Sequence, residues 1–221
     1  MTTIAIVGAG SGLGASVARR FGHEGFSIAL MSRTQANVDR LADELSADGI
    51  TARGYVANTR DIESVSRALA AAAGDLGPIE VLQYSPIPAP EFLRPVLDTS
   101  VGDLTGAIEF SVYGSVTACQ QVLPAMTERR SGTILLVNGS SGAHPNGNVA
   151  GTSVAFAAES AYGAMLHDAV AEQGVHVGQL IIPGAIGGGD PLYAPDALAD
   201  RLWAMHTDRG SFRVTVGAEQ D

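Results

Sequence analysis

The sequence predicts a doubly wound α/β fold, a parallel sheet of about seven strands with helices on both faces. Short apolar runs alternate with longer stretches of helical periodicity along the whole chain. The runs are apolar at consecutive positions, as expected of strands covered on both faces. The first run ends in Gly8-Ala9-Gly10-Ser11-Gly12-Leu13-Gly14 and passes directly into a helical pattern. A nucleotide-binding sheet begins in this way, because glycines let a phosphate approach the backbone and the helix turns its free N–H groups toward it. The 221 residues read as one domain, 1–221, with no internal repeat and no linker.

Each element follows from pattern. Thr3 to Val7 reads as a buried strand, and Gly12 to Gly25 as the first helix. A second strand covers Phe26 to Met31, and Thr34 is placed to cap a helix carrying Val38, Leu41 and Leu45. A third strand, Thr51 to Ala57, precedes a helix from near Asp61 to Ala73. After Pro78 comes a strand from Ile79 to Gln83, then a proline-rich loop from Pro86 to Pro95. One long helix is expected over Val101 to Arg130, a strand over Thr133 to Val137, and another long helix over Thr152 to Glu172. The last elements are a strand at Val175 to Ile182, a helix from Pro195 to His206 and a strand at Phe212 to Val216.

Composition excludes several function classes. A net charge of −10 argues against nucleic acid or an anionic membrane as partner. No apolar run is long enough to span a bilayer, and the N-terminus enters a strand without the basic region of a secretory signal. The lone cysteine, Cys119, permits no intrachain disulfide, which suits a reducing cytoplasm. No pair of histidines, cysteines or carboxylates has metal-ligand spacing on one element, so no metal is expected. All thirteen basic residues are arginine.

At this point the chain resembles the short-chain dehydrogenase/reductase family over essentially its whole length. Gly8, Gly12 and Gly14 match the family's G-x-x-x-G-x-G, and Ser140-Ser141 and Pro183-Gly184 fall after the fifth and sixth strands, where the family has its later landmarks. The resemblance implies a Rossmann-type fold and a nicotinamide dinucleotide cofactor. It implies cofactor contacts at Gly8, Ser11, Gly12, Leu13, Gly14, Ser32, Arg33, Asn58, Thr59, Ser85, Pro183, Gly184 and Ile186. NAD-specific members carry a carboxylate at the end of the second strand; here Ser32-Arg33 stands there. A guanidinium pairs bidentately with a 2′-phosphate, so NADP(H) is favoured over NAD(H). The alternative is a solvated surface arginine.

The catalytic pattern departs from the family. Ser141 matches its serine, but the usual tyrosine and lysine positions, counted from Ser141, are Val154 and Ala158. No lysine elsewhere can substitute, since the chain has none. Tyr84-Ser85-Pro86-Ile87 replaces the family's N-N-A-G, and Ser111 its helix asparagine. Tyr84 is the first candidate for a replacement proton donor; as an alternative it is an aromatic plug. Tyr162 is assigned to a subunit interface, Tyr113 to packing, and Tyr193 to a short lid with Gly187-Gly188-Gly189 as hinge. His144 is a loop histidine within reach of substrate or simply solvated, and Glu159 reads as a scattered helix carboxylate.

The readings that follow are an NADP(H)-dependent oxidoreductase with a non-standard donor or an activated substrate, a dinucleotide-binding pseudoenzyme, or a lyase or isomerase reusing the pocket. A small-molecule substrate is expected. The small and apolar residues on both long helices, Val112, Val116, Ala157, Ala161 and Ala164 among them, lead to a homodimer or homotetramer, as in the family.

Overall fold

The computed structural model describes residues 2–218; Met1 and residues 219–221, the two ends of the expected domain, lie outside the described residues. Seven strands form one sheet: β1 (Thr3–Val7), β2 (Ser27–Ser32), β3 (Ala52–Val56), β4 (Ile79–Tyr84), β5 (Gly132–Gly139), β6 (Val175–Ile182) and β7 (Arg213–Thr215). Their order is β3-β2-β1-β4-β5-β6-β7, and each neighbouring pair is parallel. The order reverses beside β1, so the chain's first βα turn opens into the crevice between β1 and β4.

Strand parity decides which core each side chain joins. Ile4, Ile6, Ile28, Leu30, Val81 and Leu180 face one side and pack under the helices α1 (Leu13–His23), α2 (Gln35–Ala47) and α7 (Pro195–Asp208). Ala5, Val7, Ala29, Met31, Leu82, Tyr84 and Val177 face the other side. There they meet α3 (Ile62–Leu76), α5 (Gly114–Arg129) and α6 (Ala150–Val170). This two-sided burial is why the strands read as unbroken apolar runs.

The starts of α3 and α4 (Val101–Ile108) are set by side chains. Asp61 accepts the Ser64 N–H at 3.1 Å and caps α3. Ser100 and Asp103 form a reciprocal capping box on α4. Thr34 precedes α2 as expected, but its side chain makes no cap; its N–H instead donates to Ser32 Oγ at 3.4 Å.

The expected single helix over Val101 to Arg130 is interrupted. A π-helical turn, Glu109–Tyr113, separates α4 from α5. Two close approaches bracket it: the Phe92 ring lies against Gly106, and Tyr84 Oη and the Thr59 carbonyl lie against Gly114. A side chain at either glycine would collide, so the helix widens between these contacts and carries Ser111 inward.

On the opposite face, α7 docks on α1 through an aromatic cluster. Trp203 meets Phe21 edge-on at 5.0 Å and Phe26 at 6.1 Å, with the Arg20 guanidinium 4.7 Å over the indole. No helix of the described residues is long and apolar enough to cross a membrane.

Candidate functional site

A cavity of about 420 Å³ opens at the carboxyl ends of β1, β2 and β3. The glycine loop supplies Gly8, Ala9, Gly10 and Ser11. The end of β2 and the start of α2 supply Ser32, Arg33, Thr34, Asn37 and Arg40. The turn after β3 supplies Asn58, Thr59 and Arg60.

The glycines of the loop divide into two kinds. Gly8 has φ +95°, and a Cβ there would lie 2.5 Å from Pro86 Cα. A Cβ at Gly14 would lie 3.0 Å from Ala9 Cα. These two are required by packing. Gly10 and Gly12 have nothing within 4 Å of where a Cβ would stand. Their open side leaves the space that a side chain would take from a phosphate. Behind them α1 begins at Gly12 without a side-chain cap and without an acid in its first turn. Its first N–H groups and the positive end of its dipole are thus available to an anion.

Charge points the same way. Three arginines, Arg33, Arg40 and Arg60, and one carboxylate, Glu91, line the cavity of a protein whose net charge is −10. Arg40 is paired with Glu44 on its own helix, and Arg60 is held by Glu109 through two bonds of 3.0 and 2.8 Å. Arg33 is exposed and makes no ion pair among the described residues. Ser32 Oγ closes the turn at Thr34, and Asn58 Oδ1 accepts the Arg60 N–H at 3.2 Å. The cavity therefore suits a phosphorylated ligand, with Arg33 as its free cation.

The remaining expected contacts stand elsewhere on the same sheet edge. Leu13 is buried at the start of α1, and Ser85 Oγ accepts from Gln83 Nε2 at 2.7 Å. Ser141 is buried in the turn Ser140–Gly142 after β5. Pro183, Gly184 and Ile186 follow β6, and the Tyr193 ring lies directly against Gly184. Tyr193 thereby packs onto the core beside α7 instead of standing free as a lid residue. His144 is exposed, and its N–H donates to the Ser140 carbonyl at 2.9 Å.

Tyr84 is not placed as a proton donor. It is 1 % exposed, and its hydroxyl donates to the Phe110 carbonyl. Burial also raises its pKa well above the ordinary phenol value. Strand parity carries the reason: Tyr84 shares the inner face with Leu82, under α3 and α5, and faces away from the glycine loop. A Tyr84→Phe variant is expected to leave nucleotide binding unchanged while lowering stability by about 1–2 kcal/mol, because the Phe110 carbonyl loses its donor. A urea denaturation midpoint measured beside a ligand titration checks both halves.

The two positions counted from Ser141, Val154 and Ala158, are not among the buried residues of α6. Val154 is 49 % exposed, whereas Ala155, Phe156, Glu159 and Ser160 are buried; Ala155 and Phe156 pack with Phe92, Ala107 and Phe110, and Ser160 donates to Gln179 on β6 at 2.7 Å. Glu159 is consequently no surface carboxylate. The Ser111 hydroxyl donates to its Oε2, and its Oε1 has no hydrogen-bond partner among the described residues. Burial pushes the carboxyl up to about 8, with Ser111 and Asn138 acting against the rise. The folded protein holds this proton more tightly than the unfolded chain does. Stability therefore falls as pH rises from the ordinary glutamate range to about 8, and levels off beyond it. Periodicity could not single out Glu159, since α6 is small and apolar around most of its girth. Tyr162 is half-buried against the core, and Tyr113, expected to pack, is exposed.

The comparisons with known proteins agree with this geometry. Residues 2–189 match the family model of the short chain dehydrogenases, and the chain belongs to that family. The 2,3-dihydro-2,3-dihydroxybenzoate dehydrogenase of Bacillus subtilis is 28% identical over 97% of this chain and 75% of its own length. The NADP-dependent 3-hydroxy acid dehydrogenase YdfG of Salmonella typhi is 32% identical over 69% of this chain and 61% of its own. The pig dehydrogenase/reductase SDR family member 4 matches over 49% of its own length, so the chain spans from half to three quarters of these relatives. All three bear the names of dehydrogenases or reductases, so the chain is a member of a family of oxidoreductases. Among solved structures, a short-chain dehydrogenase from Rhodopseudomonas palustris superposes with a TM-score of 0.87, at 21% identity over 99% of each chain. A metagenomic short-chain oxidoreductase solved in complex with NADP does so at 0.84, with 19% identity over 97% of this chain and 96% of that one. At these identities the structures establish the fold.

Proposed function

We propose that this chain is an NADP(H)-dependent oxidoreductase with an atypical active site. The observation that carries the reading is the cavity that Gly10, whose open side leaves room for a phosphate, lines together with the unpaired Arg33. In this reading the first turn of α1 takes the pyrophosphate. Arg33 and Ser11 bind the 2′-phosphate, and Asn58 and Thr59 flank the adenine. Ser85, Pro183, Gly184 and Ile186 border the nicotinamide side. When bound, the cofactor supplies the hydride. The Ser141 hydroxyl holds the acceptor atom of the substrate.

The usual tyrosine and lysine are absent from this reading of the site. General acid catalysis contributes about 10²- to 10⁴-fold, so a substrate that is already electrophilic suffers least from its loss. An enone, an imine or an activated carbonyl is the substrate class that fits, with the proton taken from water or another non-standard donor. The test is a titration with NADPH and NADH, followed by panels of those three classes. NADPH binding with turnover of at least one class supports the reading, and no dinucleotide binding overturns it.

A second reading has a specific observation in its favour. The Tyr84 hydroxyl is consumed inside the core and the chain has no lysine, which suits a protein that binds NADP(H) for sensing or assembly. Binding without turnover of any panel member would select it.

We further propose a homodimer or homotetramer that buries the outer faces of α5 and α6, in a reducing cytoplasm that leaves the Cys119 thiol free. Tyr113, Val154 and Met165 are large exposed apolar residues on or beside these helices. Size-exclusion chromatography with light scattering is expected to give two or four copies; a monomer at micromolar concentration refutes this.

A further inference from the structure

Glu159 is the most deeply buried carboxyl with a bare oxygen among the described residues, and it touches an element of the cavity wall. Its partner Ser111 sits at the centre of the π-helical turn Glu109–Tyr113. Phe110, one residue before, lines the cavity. Glu109, two residues before, holds Arg60, which also lines the cavity. We infer that the Glu159 carboxyl is a positioning residue for the nucleotide cavity, pinning through Ser111 the turn that carries two of its walls. This rests on the reading of the cavity as a dinucleotide site.

The surroundings decide what protonation does. From β4 the Tyr84 hydroxyl feels this carboxyl, and from α5 the Cys119 thiol; both are neutral well above pH 8. Asn138 on β5 is neutral; its Oδ1 accepts from Gln179 Nε2 at 2.8 Å, and its side chain opposes the rise of the Glu159 pKa without outweighing burial. Glu109 in the turn is balanced by Arg60. Among these groups none is a cation facing Glu159. A proton on Glu159 leaves the pair with Ser111 intact and the interior uncharged. Its loss puts a carboxylate with one bare oxygen into a dry site, and such a charge is relieved only by opening toward water. The turn on Ser111 is the segment that must yield.

The experiment is NADPH affinity measured by calorimetry at pH 7, 8 and 9 on the wild-type protein, Glu159→Gln and Ser111→Ala. If the cavity requires the protonated carboxyl, the wild type loses about tenfold in affinity between pH 7 and 9, as the competent fraction falls. Glu159→Gln, which keeps the shape and cannot ionise, binds with a flat profile. Ser111→Ala binds more weakly at pH 7 and loses most of the slope. Equal slopes for wild type and Glu159→Gln overturn the inference. If no protein binds NADPH at any pH, the dinucleotide reading fails, and amide hydrogen exchange across residues 109–113 still decides this one. Protection lost above pH 8 in the wild type but kept in Glu159→Gln supports it, and equal protection overturns it.

Discussion

A Gly8→Ala variant is expected to lose about 2–5 kcal/mol of folding stability, a large part of the 5–15 kcal/mol typical of a domain. Two costs add. A side chain at positive φ costs about 1–2 kcal/mol, and forcing a methyl into a filled space costs about 1–3 kcal/mol. The obstructing atoms are backbone atoms of Ser85 and Pro86, 2.5 to 2.7 Å from the new Cβ, so no side chain can rotate out of the way. The Gly12→Ala variant is the matching control. Nothing lies within 4 Å of its Cβ, so its denaturation midpoint is expected to fall by less than that of Gly8→Ala, the cost being only that of alanine at the α1 N-cap. Its NADPH affinity is expected to fall at least tenfold, because the methyl takes the phosphate's place. Urea denaturation and ligand titration on both proteins check the pair. Equal stability of Gly8→Ala and wild type would remove the packing account, and unchanged affinity of Gly12→Ala would remove the cradle.

Arg33→Asp is expected to weaken NADPH binding by about 100-fold, since a hydrogen-bonded charge pair contributes roughly 1.5–3 kcal/mol and the carboxylate adds repulsion. NADH lacks the 2′-phosphate and is expected to bind equally well or better, so the preference inverts. Arg33 lies on the surface and makes no ion pair among the described residues, which leaves folding untouched by the change. Parallel titrations with the two dinucleotides measure it. An equal loss for both would mean that Arg33 acts on the pyrophosphate or on the shape of the loop. No loss for either would return it to the status of a solvated arginine.

The parts of this molecule governed by local chemistry were legible in the sequence. The β1–glycine loop–α1 unit is specified by an apolar run and by glycines in consecutive turns, and it folds as that pattern requires. The bounds of β1 and β6 are as expected and those of the other strands differ by one or two residues, because apolar runs do not mark where pairing stops. The side-chain directions on α6 were not legible. The count from Ser141 does not give the phase of α6, whose buried residues include Ala155, Phe156, Glu159 and Ser160 and not Val154 or Ala158. A helix with a broad apolar girth offers no periodic signal to fix that phase. The π-helical turn likewise lies between two tertiary contacts, Phe92 against Gly106 and Tyr84 against Gly114, that no local pattern announces. Tyr84 is different, since alternation along β4 puts it on the face of Leu82. Period two was the available signal there, and it separates a core plug from a donor at the strand's end.

The aromatic seam between α1 and α7 contains the chain's single tryptophan, Trp203, edge-on to Phe21 at 5.0 Å. Tryptophan emission from this protein therefore has one source, and that source, on α7, packs against the helix that begins at the glycine loop. Loosening of α1, whether by denaturant or by crowding at Gly8, is read directly as a red shift when the indole meets water. Excited at 295 nm, where tyrosine is silent, the protein carries its own optical gauge of whether its first helix is seated.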